Sequence, residues 1–353
     1  MGSVSLNPNG TERTGETVRS RFVKTIRGET PQDRLPVIEW ATWWDLTIDR
    51  WREEGLPSDI DKEGIKRFFG LDVDYQCWIP SISESAPQPE EGRAWIASAA
   101  DYEALRPYLF PDPVPFDRAA WTERAAELTA GEAIAWITLD GFFWFPRVLL
   151  GIEPHLFAFF DHPRLMHRIN EDLADYHLRC IEAFCEVCTP DFMTFAEDMS
   201  YNHGPMLSKA MFDEFLAPYY RRVVPELERR GIAPLIDSDG DVEPMIPWLE
   251  SAGLRGILPL ERMAGVDVDR IRRNHPGWIM IGGFDKTVMH LGGQAVRREF
   301  SRLMPTVRSG RFIPSVDHQT PPGVSMEEYR EYVAILKEMA SDPAWFQRPA
   351  ESD

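Results

Sequence analysis

Carboxylates recur in this chain where short apolar runs end. Glu39 follows Leu35–Ile38, Asp140 follows Ala133–Leu139, and Glu197 with Asp198 closes the run that opens at Asp191. Asp237, Asp239 and Asp241 follow Ile232–Ile236, Glu261 follows Leu254–Leu260, Asp285 follows Trp278–Gly282, and Asp317 with His318 follows Arg311–Val316. If half of these acids converge, they cannot all stay ionised without a counter-charge. Three resolutions are open: a bound metal, a cationic substrate, or carboxyls held protonated for acid–base work. A plainer reading has several of them capping helices or pairing with arginines, as Asp237 and Asp241 could for a helix at Glu243.

His318 is the sharpest single residue. A histidine beside Asp317 at the end of a strand suits proton transfer or metal ligation, against the alternative of a loop histidine bonded to backbone. His203, in Ser-Tyr-Asn-His-Gly-Pro, is a second candidate. Two aromatic clusters, Trp40, Trp43 and Trp44 in one place and Phe142, Phe143, Trp144 and Phe145 in another, could wall an apolar or cationic ligand by stacking and cation–π contact, or pack as core. Cys185 and Cys188 have C-x-x-C spacing in an apolar helical context without a second pair, and are read as packing. The catalytic candidates are therefore His318, Glu197, Asp237 and Asp239. Glu39, Trp40, Trp44, Phe143, Asp198, His203 and Asp285 are the candidate substrate contacts.

These residues need a scaffold that gathers strand ends. Apolar runs alternate with helical patterns through most of the chain, including helices over 163–188, 208–230 (kinked at Pro218), 294–308 and a last one opened by the capping box Ser325-Met-Glu-Glu328. Strand–helix alternation implies a parallel sheet, and closure of about eight strands into a single (β/α)8 TIM barrel is the economical answer, a doubly wound sheet being the alternative. The expected organisation is a polar leader over 1–16 and one barrel over 17–345, with an N-terminal helical extension and an insertion (residues 81–115) after the second strand. No Gly-x-Gly-x-x-Gly or Walker A pattern marks a nucleotide site.

Charge narrows the partners. The 353 residues carry a formal charge of −19, which disfavours nucleic acid and anionic membranes. No apolar run approaches the ~20 residues that span a bilayer. Four cysteines, three of them on one helical pattern, fit a reducing compartment. The expectation is a soluble, acidic, cytoplasmic protein with a small-molecule substrate. A homodimer is compatible with this reading, although no residue pattern argues for it.

Several segments together resemble the uroporphyrinogen decarboxylase superfamily of (β/α)8 barrels. They are Glu197-Asp-Met with the following His203-Gly-Pro-Met-Leu-Ser-Lys-Ala-Met-Phe-Asp-Glu-Phe-Leu-Ala-Pro-Tyr, Ser238-Asp-Gly240, Ile281-Gly-Gly-Phe-Asp285, and Asp317-His-Gln-Thr-Pro-Pro with Tyr329 and Tyr332. True decarboxylases of that superfamily carry an arginine-rich stretch after the first strand to hold a polycarboxylate. Here that place reads Glu39-Trp-Ala-Thr-Trp-Trp-Asp45, acidic and rich in tryptophan. The cobalamin-linked methyltransferases place zinc ligands after the fifth and eighth strands, and the corresponding positions are Asp237-Ser-Asp239 and His318. The resemblance therefore implies a corrinoid-linked methyltransferase or demethylase for a small methylated substrate. Asp237, Asp239 and His318 would hold zinc or another divalent metal, and a partner protein would carry the corrinoid. The alternatives are a cofactor-free carboxy-lyase with His318 as proton donor, and a non-catalytic small-molecule binding protein.

Overall fold

The computed structural model describes residues 15–347. Residues 1–14 of the expected leader lie outside the described residues. In chain order the elements begin with α1 (Val18–Arg27), α2 (Asp45–Glu53), α3 (Lys62–Phe69), β1 (Val73–Trp78), α4 (Ala99–Leu105), α5 (Arg118–Ala130) and β2 (Ala133–Asp140). Then come α6 (Trp144–Leu150), α7 (Ile152–Asp161), α8 (Pro163–Cys185), β3 (Phe192–Ala196), β4 (Ser200–Tyr201), β5 (Gly204–Pro205), α9 (Lys209–Phe215), α10 (Ala217–Arg229) and β6 (Ala233–Asp237). The last third holds α11 (Ile246–Ser251), β7 (Gly256–Leu258), α12 (Val268–Asn274), β8 (Ile279–Phe284), α13 (Gly293–Arg308), β9 (Phe312–Val316), α14 (Met326–Ser341) and α15 (Pro343–Phe346).

This is an α/β fold whose chain divides into two compact units. The larger comprises Tyr75–Ala126 and Ala135–Ile279; the smaller comprises the residues up to Asp74, Glu127–Ile134 and those from Met280 onward. In the larger unit β2, β3, β6 and β7 pair in parallel, each with the next such strand in the sequence. In the smaller, β8 and β9 pair in parallel from Met280↔Phe312 to Phe284↔Val316. Neither run reverses its strand order, which a doubly wound sheet requires. β3 and β9 are buried throughout, as parallel strands covered on both faces are. Among the described residues no helix is long and apolar enough to cross a membrane.

Two sequence expectations are corrected. The run Leu35–Ala41 forms no regular strand: Pro36 lacks an N–H for a ladder. The segment is instead buried through Leu35, Val37, Ile38, Glu39 and Ala41, and Val37 O accepts from Asp72 N at 2.8 Å. The helical pattern over 208–230 breaks into α9 and α10 at Leu216, with Pro218 in the first turn of the new helix rather than at a kink within one. The aromatic cluster after β2 is a turn at Phe142 and Phe143 that leads into α6 at Trp144. Other expectations hold. Ser325 and Glu328 form the capping box on α14. The segment expected as an insertion after the second strand follows β1, the first regular strand, and carries α4, where Tyr102 Oη donates to Asp172 Oδ2 on α8 (2.9 Å) and Arg106 forks onto the same carboxylate at 2.9 and 3.1 Å.

Candidate functional site

In the larger unit the candidate residues lie at the carboxyl ends of β2, β3 and β6. Glu197, one residue past β3, is fully buried, and backbone N–H groups of Phe142 and Phe143 (2.7 Å each) and Trp144 (3.1 Å) donate to it, as does the Tyr220 hydroxyl of α10. It occupies the N-terminal end of α6, where orphan N–H groups favour an anion. Burial raises the carboxyl from its ordinary range to about 7, and the four hydrogen bonds oppose that rise. Gly141 makes room for it, since a Cβ there would sit 2.0 Å from the Glu197 carboxyl carbon. Glu197 thus ties the aromatic turn to β3. Phe142 and Phe143 turn inward, Phe142 against Tyr220 (centroids 5.0 Å) and Phe143 against His155 (4.6 Å). Phe143, expected as a substrate contact, is completely buried in the core. The half-buried member of the turn is Trp144, with the Arg147 guanidinium 5.1 Å from its ring.

Asp237 ends β6, half-buried, and its carboxyl receives no hydrogen bond among the described residues. Burial first, then the charges of Asp198 and Asp239, push it well above the usual carboxylate range. Asp198 sits in the left-handed region at φ 41°, a conformation a non-glycine residue holds only where its surroundings enforce it. Here Arg147 Nη1 donates to its carbonyl at 3.2 Å. Its Oδ1 accepts from Asp239 N at 3.4 Å, so the three acids form one cluster. Ser200 Oγ donates to Asp239 O (2.5 Å), and Ser238 Oγ accepts from Met199 N (3.1 Å). The β4–β5 hairpin lies against this turn so closely that Gly240, at φ 84°, has no room for a Cβ: Tyr201 N would be 2.6 Å away. His203, at the hairpin's tip, is exposed and meets the Tyr201 ring edge-on at 5.6 Å. Of the two expected caps, Asp241 approaches Glu243 N at 3.4 Å.

The smaller unit holds the other candidates. Glu39 is fully buried, and Ser315 Oγ (2.5 Å), Tyr329 Oη (3.1 Å) and, more weakly, Val316 N (3.4 Å) donate to it. Desolvation outweighs these bonds and raises its carboxyl to about 8. Expected to touch substrate, it is walled in instead. Trp40 Nε1 donates to Val316 O at 2.7 Å. Trp43 is core, packed on Trp51 and Tyr329 at 5.8 Å each, whereas Trp44 is 47% exposed. Asp285 caps the short turn after β8, accepting from Thr287 N (2.9 Å) and Thr287 Oγ1 (2.5 Å). Asp317 is fully buried and accepts from Lys286 N and Nζ at 3.2 and 3.3 Å. His318 follows it, half-buried.

Of the candidate ligand residues, Asp237 and Asp239 belong to the larger unit and His318 to the smaller. Sequence reading missed Tyr220, Lys286, Ser315 and Gly141. Tyr220 lies on the buried face of α10 with Val223, Val224 and Leu227, where helical spacing alone marks it as core.

The profile of the uroporphyrinogen decarboxylase (URO-D) family matches residues 149–339. A uroporphyrinogen decarboxylase of Pseudomonas fluorescens is 23% identical over 265 residues, covering 70% of each chain. Among solved structures, a methyltransferase from Methanosarcina mazei superposes with a TM-score of 0.63 at 13% identity, covering 91% of this chain and 98% of its own, a likeness of fold. The profile spans more than half of the 353 residues, and the protein belongs to the uroporphyrinogen decarboxylase family.

Proposed function

We propose that the protein is a corrinoid-linked methyltransferase or demethylase. It takes a small methylated substrate at the carboxyl ends of the strands of a (β/α)8 barrel in which the segment 35–41 stands in place of the first strand. The observation that carries this reading is Asp237, a strand-end carboxyl without a hydrogen bond, crowded by Asp198 and Asp239. Such a cluster calls for a cation, whether a divalent metal or a positively charged substrate, and repels the polycarboxylate of a true uroporphyrinogen decarboxylase.

The donor chemistry fits a metal in part. Two carboxylates suit a divalent ion of hard or borderline character, and the lack of a thiolate does not suit sulfur-bound zinc. Asp237 and Asp239 would hold the ion, with His318 as the further ligand implied by resemblance. A bound ion would supply Lewis acidity toward the group that carries or leaves the methyl. The chemistry a partner-borne corrinoid supplies is acceptance of that methyl. Trp40 and Trp44 would offer aromatic faces to an apolar or cationic substrate. Glu197 and Tyr220 fix the turn that presents Trp144.

A second reading, a carboxy-lyase needing no cofactor, draws on the decarboxylase relative at 23% identity and on His318 as proton donor. The deciding experiment measures metal content of wild type, Asp237→Asn and His318→Ala purified without added metal, then mixes each with methylated substrates and free cob(I)alamin. Stoichiometric metal lost in Asp237→Asn, with a change in the corrinoid's visible spectrum, supports methyl transfer. Metal lost also in His318→Ala makes His318 a ligand. No metal and no spectral change, with carbon dioxide released, moves the lyase reading ahead.

A further inference from the structure

Glu39, like Phe143, is an expected substrate contact that the fold encloses completely, and what encloses it assigns it a different task. Everything that donates to it is neutral: the Ser315 and Tyr329 hydroxyls and the Val316 N–H. The charged group that acts on it from the surrounding elements is Asp74 on β1, and Asp317 after β9 acts on its neighbour Tyr332. Both are acids, and each already has its own cation: Lys66 of α3 lies 2.6 Å from Asp74, and Lys286 Nζ lies 3.3 Å from Asp317. Tyr329 and Tyr332 of α14 are the remaining titratable groups, both fully buried. An ionised carboxylate in this position is desolvated with no counter-charge of its own, which costs several kcal/mol and drives such groups to take up a proton. The Tyr332 hydroxyl supplies the acceptor for that proton. It is buried, finds no hydrogen-bond partner, and lies close enough to Glu39 for the two to interact.

We propose that Glu39 is a neutral carboxylic acid at neutral pH and serves as the positioning residue of the tryptophan wall, fastening the segment 35–44 to β9 and α14 only while it keeps its proton. The proton sits on Oε2 and is donated to Tyr332 Oη, Oε2 also accepts from Tyr329, and Oε1 accepts from Ser315. All four polar groups are then satisfied. One peptide bond on, Trp40 Nε1 donates to Val316 O, and the exposed Trp44 opens α2. The fastening of Glu39 therefore sets where both rings stand. When the proton is lost, a bare charge remains in the core and the segment loosens. This assignment is independent of which reaction the protein catalyses; only its consequence for substrate binding rests on the reading above.

The test needs no substrate. Infrared difference titration of the full chain should show the carbonyl band of a buried protonated carboxylic acid in wild type, fading as pH rises through about 8 and missing at every pH in Glu39→Gln. Tyr332→Phe, which keeps the acid and removes its acceptor, should shift that band without abolishing it. Hydrogen exchange read by mass spectrometry should find the 35–44 peptide faster in wild type than in Glu39→Gln above that pH, and equal below it. A wild-type spectrum in which Glu39→Gln removes no band, or equal exchange in the two proteins at alkaline pH, overturns the proposal.

Discussion

Two buried glutamates, one in each unit, follow apolar runs that look alike in sequence and are held in unlike ways. Glu197 faces three backbone N–H groups at the start of a helix and a tyrosine hydroxyl. Glu39 faces two hydroxyls and one long N–H contact. Both carboxyls are pushed up by burial, to about 7 and about 8 respectively. The ordering follows from the donors: oriented N–H dipoles stabilise the charged form, whereas a hydroxyl can also turn to accept from the neutral one. A helix N-terminus thus tolerates a buried charge that a pocket of hydroxyls does not.

The largest effect should come from breaking the stronger arrangement. Glu197→Ala leaves three N–H groups and the Tyr220 hydroxyl without their acceptor, which should cost on the order of 4 kcal/mol in denaturant unfolding. Gly141→Ala should approach that loss, because its Cβ displaces the same carboxyl. A loss under ~1 kcal/mol in both variants would mean that water replaces the acceptor and that the cap is dispensable.

Next in size are the pH limbs, where the two units should part. Glu39 has its folded pKa above its unfolded value, so its contribution is complete below about 4.5 and is lost as pH rises through about 8. Glu39→Gln should therefore abolish part of the alkaline decline in melting temperature while changing little near pH 5. His155 and His177, in the larger unit, flank Phe143 and Phe142 and are fully buried, and burial lowers both to about 3. Their folded pKa is depressed, so the stability they contribute is present above about 6.5 and is lost as pH falls toward 3. His177→Leu should move the acid midpoint of unfolding to lower pH. An acid limb identical to wild type would show that His177 reaches water before the unit unfolds.

The smallest structural effect belongs to Trp44→Ala. At 47% exposure the ring should contribute within ~0.5 kcal/mol to stability, yet on the proposed reading its loss weakens substrate binding several-fold, which isothermal titration would read. Trp43→Ala, one position away and in the core, should do the reverse and cost about 3–5 kcal/mol.

Much of the scaffold was legible because its signals are local. The runs at 133–139 and 191–196 are apolar at nearly every position, which marks strands covered on both faces. Ser325 and Glu328 stand at capping-box spacing and cap α14. The run at 35–41 misled because apolar content says nothing about hydrogen bonds: Pro36 cannot donate, and the carboxyl of Glu39 rather than the main chain reaches Val316 N. Tyr220 escaped notice because nothing local marks which hydroxyl on the buried face of α10 meets a carboxyl 23 residues before it.

The sequence by itself determined which side chains end the strands, where the helices begin, and that acids and tryptophans stand where a polycarboxylate-binding enzyme needs arginines. Only the tertiary structure decided what each acid does. Glu197 became a cap, Glu39 an enclosed acid, Asp285 a turn cap and Asp237 an unsatisfied carboxyl. Protonation and hydrogen bonding depend on solvent exclusion and on donors that lie far away in the chain. The N–H groups that hold Glu197 are about 55 residues before it, and the hydroxyls that hold Glu39 more than 270 after it.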